Sequence, residues 1–165
     1  VDLEVARYPE CGMSRITKPL IKWGHLPNSD RILIFKTALL LASIRLALGL
    51  LPLSTIRRFL MRKAKASSAK IDHSHQGLEK EIWAIESVGK YILGDGPCLT
   101  QALAAQQVLT RLNKPSDLCI GVAKDEQGKL VAHAWVESEG AVIIGGSEDS
   151  LQRYTKLPTL EGKLF

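Results

Sequence analysis

The chain has 165 residues, 45% of them hydrophobic and 24% charged, with a formal net charge of +5. That length suits one domain that can bury a core without covalent staples, and the composition is ordinary for a globular protein. Its three cysteines, Cys11, Cys98 and Cys119, are widely spaced and form no CxxC pair, which argues against a disulfide framework or a cysteine-rich zinc site and indicates a reducing, cytoplasmic setting.

Residues 1–28 show little periodicity. Met13-Ser14-Arg15-Ile16 reads as a natural start, which would make residues 1–12 an addition. The first 20 residues lack a basic start followed by an apolar run, the mark of a secretory signal. Asn28 to Asp30 offers N-cap residues, and Arg31 to Leu51 then reads as a helix rich in Leu, Ile and Ala. Its length permits a membrane span, but Lys36 and Arg45 inside it are costly at a bilayer centre, so a buried or partner-facing helix is expected. Pro52 interrupts it. Ser54 can cap a second helix from Thr55 to about Ala66, and the two form a helical hairpin or a kinked helix.

Much of the positive charge sits between Arg57 and Lys70. It reads as a solvated helix face. With no glycine-rich phosphate loop, zinc-finger spacing or aromatic-basic interleaving, no nucleic-acid partner is expected. Peripheral membrane contact is the less favoured alternative. Residues 67–76 read as a linker, and His73 and His75 there, lacking further ligands, predict no metal site.

Gln76 to Ile92 is amphipathic, with Leu78, Ile82, Ile85 and Ile92 on one face. Gly94 ends it, Asp95-Gly96-Pro97 turns the chain, and Pro97 suits the first position of a helix running from Cys98 to about Leu112. The period then changes to two. Leu118 to Ala123, Leu130 to Glu137 and Ala141 to Ile144 read as strands, separated by turns at Asp125–Lys129 and Ser138–Gly140. Helices followed by an antiparallel meander make an α+β chain. It divides into an irregular segment (1–28), a helical region with its linker (29–75) and a core (76–165).

Two residues carry chemistry. Cys98 stands in the first turn of a helix, where unpaired N–H groups and the helix dipole lower a thiol pKa and can hold an oxyanion. His133 lies on the strand face of Val131, Trp135 and Glu137, opposite the apolar face of Leu130, Ala132, Ala134 and Val136. A histidine within reach of a thiol can take its proton and later protonate a leaving amine. A buried inert thiol and a structural histidine are the plain alternatives. Trp135 lines a groove or simply packs. Cys119, on a small-residue face with Gly121 and Ala123, is expected to pack against a helix as an inert thiol.

Gly96-Pro97-Cys98-Leu99, Ile120-Gly121-Val122 and Ala132-His133-Ala134-Trp135-Val136-Glu137, with the upstream Leu39–Leu60 run, resemble the stand-alone leader peptidases of lasso-peptide biosynthesis over about residues 30–160. The resemblance implies a papain/transglutaminase-like core, with the cysteine-bearing helix packed on an antiparallel sheet. It implies a cysteine peptidase that cuts the leader from a ribosomally made precursor peptide through a Cys98 thioester, with His133 as base and acid and with no metal or organic cofactor. The implied partners are the precursor peptide, a separate leader-recognition protein and the ATP-dependent lasso cyclase, with residues 31–60 expected to recruit one of these proteins. The fold usually adds an Asp or Asn on the next strand to orient the histidine. Opposite His133 stands Gly145 or Gly146, so Asp149, a few residues on, is the expected third member. Glu137, a backbone carbonyl or a water remain alternatives. Two other readings stand beside this one: acyl transfer to an amine at the same site, and a non-catalytic peptide- or partner-binding module, motivated by glycines where an acid is expected.

Overall fold

The computed structural model describes residues 28–67, 75–92 and 98–158. The expectations for Cys11, Met13, His73 and the Gly94–Pro97 turn lie outside these residues, as does the side chain of His75.

Four long helices come first: α1 (Asn28–Leu50), α2 (Leu53–Ser67), α3 (His75–Ile92) and α4 (Cys98–Arg111). Asn28 opens α1 and Asp30 lies in its first turn, where a carboxylate complements the helix dipole. Pro52 separates α1 from α2, and its carbonyl accepts the Thr55 and Ile56 N–H groups. Strands β1 (Asp117–Lys124), β2 (Leu130–Ser138) and β3 (Ala141–Ile144) follow as an antiparallel meander. A one-turn helix, α5 (Glu148–Leu151), then leads to β4 (Thr155–Lys156), which pairs with the outer edge of β1. The sheet order is β3-β2-β1-β4, so the expected three strands become four. A two-residue strand leaves no alternation to read.

The arrangement is α+β, with α4 at its centre. Thr100, Leu103, Ala104, Ala105, Val108 and Leu109 are all buried along α4, so it is covered on nearly every side. The sheet packs on it through β2, and α1, α2 and α3 pack on its other sides. Ile34, Leu41 and Ile44 of α1, Ile56 and Leu60 of α2, and Leu78, Ile82, Ile85 and Val88 of α3 join the same apolar core as Leu118, Ala134, Val136 and Ile144 of the sheet. The helical region and the core that follows it therefore share one interior. An Arg111–Glu81 ion pair ties α4 to α3.

Two expectations about faces change. Leu130 is 67% exposed and Ala132 is exposed too, because β2 runs out past the helices; only Ala134 and Val136 of that row reach the core. Cys119 and Gly121 do not pack on a helix. They pair across the strands with Trp135 and His133, on the sheet face turned away from α4. What makes small residues fit there is an aromatic cluster.

Candidate active site

β3 pairs with β2 only from Ser138 back to Val136, with a register shift between Val136 and Glu137. Beyond that point the β2 edge beside Ala134 and His133 is free of strand pairing from β3, and the start of α4 meets it there. The Cys98 thiol, half-buried, makes contact with the His133 ring and with the Ala134 backbone. Two residues 35 positions apart in sequence are thus joined by the packing of one helix start against one strand edge.

His133 has a second partner. Its Nε2 donates to the carbonyl oxygen of Gly145 at 2.5 Å. A carbonyl only accepts, so Nε2 carries the proton and Nδ1 is the nitrogen left to face the thiol. That tautomer is the one a base needs: a free lone pair toward Sγ and an anchored N–H behind it.

Gly145 is held where it is by its surroundings. Its φ is +107°, and a Cβ there would stand 2.5 Å from the Trp135 Cβ and 2.8 Å from the Trp135 Cα. Only glycine fits both the left-handed backbone and the close approach to β2. The carbonyl of a tightly packed glycine therefore occupies the ring position that the sequence assigned to a carboxylate. Asp149 lies in the first turn of α5 and is exposed. Glu137 is bonded elsewhere, accepting from Trp135 Nε1 at 2.8 Å and from Lys156 Nζ at 2.7 Å. Of the three expected residues, Cys98 and His133 are brought together, and the described contacts of His133 leave Asp149 outside.

Contact with His133 is the main force holding the Cys98 thiol below the ordinary thiol range; burial opposes it, and the Ala134 and Leu99 backbones assist. His133 is pushed above the ordinary imidazole range, chiefly by Cys98. Burial opposes the shift, the Gly145 carbonyl adds to it, and Arg153 works against it. Both shifts favour a thiolate–imidazolium pair. Cys119 behaves oppositely: burial and then the nearby Glu137 charge push its thiol up. Iodoacetamide at neutral pH is therefore expected to label Cys98 well ahead of Cys119. In His133→Ala the Cys98 labelling profile should move to higher pH, because the group that lowers the thiol is gone while its burial remains. An unchanged profile would mean that the histidine does not set the thiol's charge.

The other side of His133 is aromatic. Tyr154 lies 5.2 Å from it, centroid to centroid, and Trp135 lies 6.2 Å away. Trp135 is 1% exposed, and Lys156 spans it to reach Glu137. Arg153 stacks on Tyr154 and donates to its hydroxyl. Rings on this side limit water around the imidazole while the thiol side stays half-open. Gly121, paired with His133 across the strands, makes room: a Cβ there would meet Trp135 and Tyr154 side chains at 2.9 Å. Gly121→Val is expected to displace both rings, lower activity more than ten-fold and cost about 1–3 kcal/mol through overpacking. Thermal unfolding and rate measured together check this. The sequence pointed Gly121 at a helix rather than at these rings, and Tyr154 went unread, since the residues around it carry no strand-like alternation.

These parts can do nucleophilic acyl chemistry: an activated thiol at a helix start, an anchored base of the right tautomer, and helix-start N–H groups near a developing oxyanion. No curated protein and no solved structure matches the chain. The transglutaminase-like superfamily matches residues 38–159, a span from within α1 to just past β4 that holds every residue of the site. With the fold, the thiol–imidazole pair and this match in agreement, the chain belongs to the transglutaminase-like superfamily.

Proposed function

We propose that this protein is a cysteine peptidase that removes the leader from a ribosomally made lasso precursor peptide. The observation that carries the catalytic part is the Cys98–His133 contact, with the imidazole anchored from behind by the Gly145 carbonyl. With the thiol proton already held on His133 Nδ1, the Cys98 thiolate attacks the carbonyl at the leader–core junction. The tetrahedral oxyanion rests near the N–H groups that open α4. His133 then protonates the departing amine, and the core peptide leaves with a free N-terminus. The leader stays as a Cys98 thioester until a water, deprotonated by His133, releases it and restores the thiol.

The lasso substrate rests on the likeness of the Gly-Pro-Cys-Leu, Ile-Gly-Val and His-Ala-Trp-Val-Glu segments to leader peptidases of that pathway. A separate recognition protein is proposed to bind the leader and deliver it, and the lasso cyclase to take the freed core. Membership in the transglutaminase-like superfamily supports acyl transfer to an amine equally well. The glycines that motivated a non-catalytic module favour it less once Gly145 has a part in orienting His133. The test is a mass-spectrometric assay of protein, precursor and recognition protein. A hydrolysed leader plus free core supports the peptidase. A leader–amine adduct supports transfer. An intact precursor, bound but uncut, overturns both.

A further inference from the structure

Helix α1 is apolar on two opposite sides, and only one is used. At 100° per residue, Ile34, Thr37, Leu41 and Ile44 fall on one side, and these are its buried residues, packed toward α3 and α4. Ile32, Phe35, Leu39, Leu46 and Leu50 return to the other side at helical spacing, with exposures from 55% at Ile32 to 74% at Leu50. The stripe runs from Ile32 to Leu50 of a 23-residue helix, roughly 30 Å. Further exposed apolar side chains follow α1 at Leu51 and, on α2, at Phe59. Scattered surface leucines need no explanation, but a continuous stripe of this length marks a contact surface.

The charges that α1 and α2 themselves carry are nearly all of one sign. Between residues 28 and 64 the sole acidic residue is Asp30, while Lys36 and Arg45 on α1 and Arg58, Arg62 and Lys63 on α2 are exposed cations. A protein partner would have to carry an acidic face of its own to match such a set, whereas an anionic bilayer presents negative charge everywhere along the helix. A long aliphatic and phenylalanine stripe on a helix whose exposed charges are Lys and Arg suits a helix lying in the headgroup region of an anionic bilayer. Crossing the bilayer is a different matter: Asn28–Leu50 is long and apolar enough to span, but its opposite side is committed to α3 and α4.

We propose that the outward side of α1, with the exposed cations of α1 and α2, seats this protein on an anionic lipid surface, α1 lying in the plane of the membrane. This is independent of the reaction at Cys98. It also gives residues 31–60 a lipid contact in place of the protein partner their sequence suggested.

Vesicle flotation of the full chain tests it. The wild type should float with vesicles containing phosphatidylglycerol, float far less with phosphatidylcholine alone, and lose binding as salt screens the cations. Leu39→Ser/Leu46→Ser should weaken binding at least about ten-fold. Arg58→Glu/Arg62→Glu should remove the preference for the anionic lipid. All four positions are exposed, so both variants should keep the wild-type circular dichroism; should the serine pair unfold, the charge reversal decides. Flotation with neither vesicle, or equal flotation of wild type and a folded variant of either kind, overturns the proposal. So does capture of a second copy or of the recognition protein through this stripe with no binding to lipid.

Discussion

Cys98→Ala is expected to abolish cleavage of the precursor, a fall of at least about 10³-fold in kcat/KM, while circular dichroism and thermal midpoint stay near wild type. The loss follows from the mechanism: without Sγ no thioester forms, and the anchored imidazole and the α4 N–H groups alone leave only a small residual acceleration. The fold should survive because alanine is the best helix former and Cys98, half-buried at the helix start, leaves little space behind; about 1 kcal/mol or less is expected. His133→Ala should fall nearly as far, and the double variant no further, since the two act as one unit. In the wild type, kcat/KM should rise as Cys98 ionises, below the ordinary thiol range, and fall as His133 deprotonates, above the ordinary imidazole range. The plateau between belongs to the pair. Cleavage by Cys98→Ala at the wild-type rate would remove the thiol from the chemistry and the proposed function with it.

What the sequence made legible was the part written in local periods. The four helices stand within a few residues of the expected bounds, because caps, Pro52 and 3.6-residue apolar spacing mark them. The three meander strands do too. β4 and α5, at two and four residues, were too short to show any period. The sidedness of α1 was also hidden. It is apolar on two opposite sides, so a pattern of Leu, Ile and Ala cannot tell the side that packs from the side that does not; only the placement of α3 and α4 decides. For the site, the helix start and the strand alternation put Cys98 and His133 in view. Their meeting depends on β3 stopping at Ile144 so that α4 can reach the β2 edge, a long-range event with no local mark. The third group was the hardest to read, since a backbone carbonyl has no letter of its own. The signal it leaves is indirect: two successive glycines after a strand, where left-handed backbone is needed.

That carbonyl yields the second large effect. In Gly145→Ala, kcat is expected to fall at least about 10²-fold with KM little changed, since a displacement of the base by about 1 Å suffices for such a loss. The cause is double. At φ +107° an L side chain is strained, and the new Cβ would collide with Trp135, so the Gly145 oxygen must leave His133 Nε2. The ring is then free to turn, and the imidazolium loses an acceptor that helps hold its pKa up. The upper limb of the pH–rate profile should therefore shift to lower pH, a change that mere loss of stability does not produce. Gly146→Ala is the matched control. Gly146 also has a left-handed φ, +130°, and a Cβ there would crowd Ser150 Oγ at 2.7 Å, yet it does not bond to the histidine. Both variants should lose about 1–3 kcal/mol of stability from backbone strain. Only Gly145→Ala should move kcat and the upper pH limb. If the two behave alike in rate and pH profile, His133 is not oriented by the Gly145 carbonyl, and the search for its partner returns to Asp149.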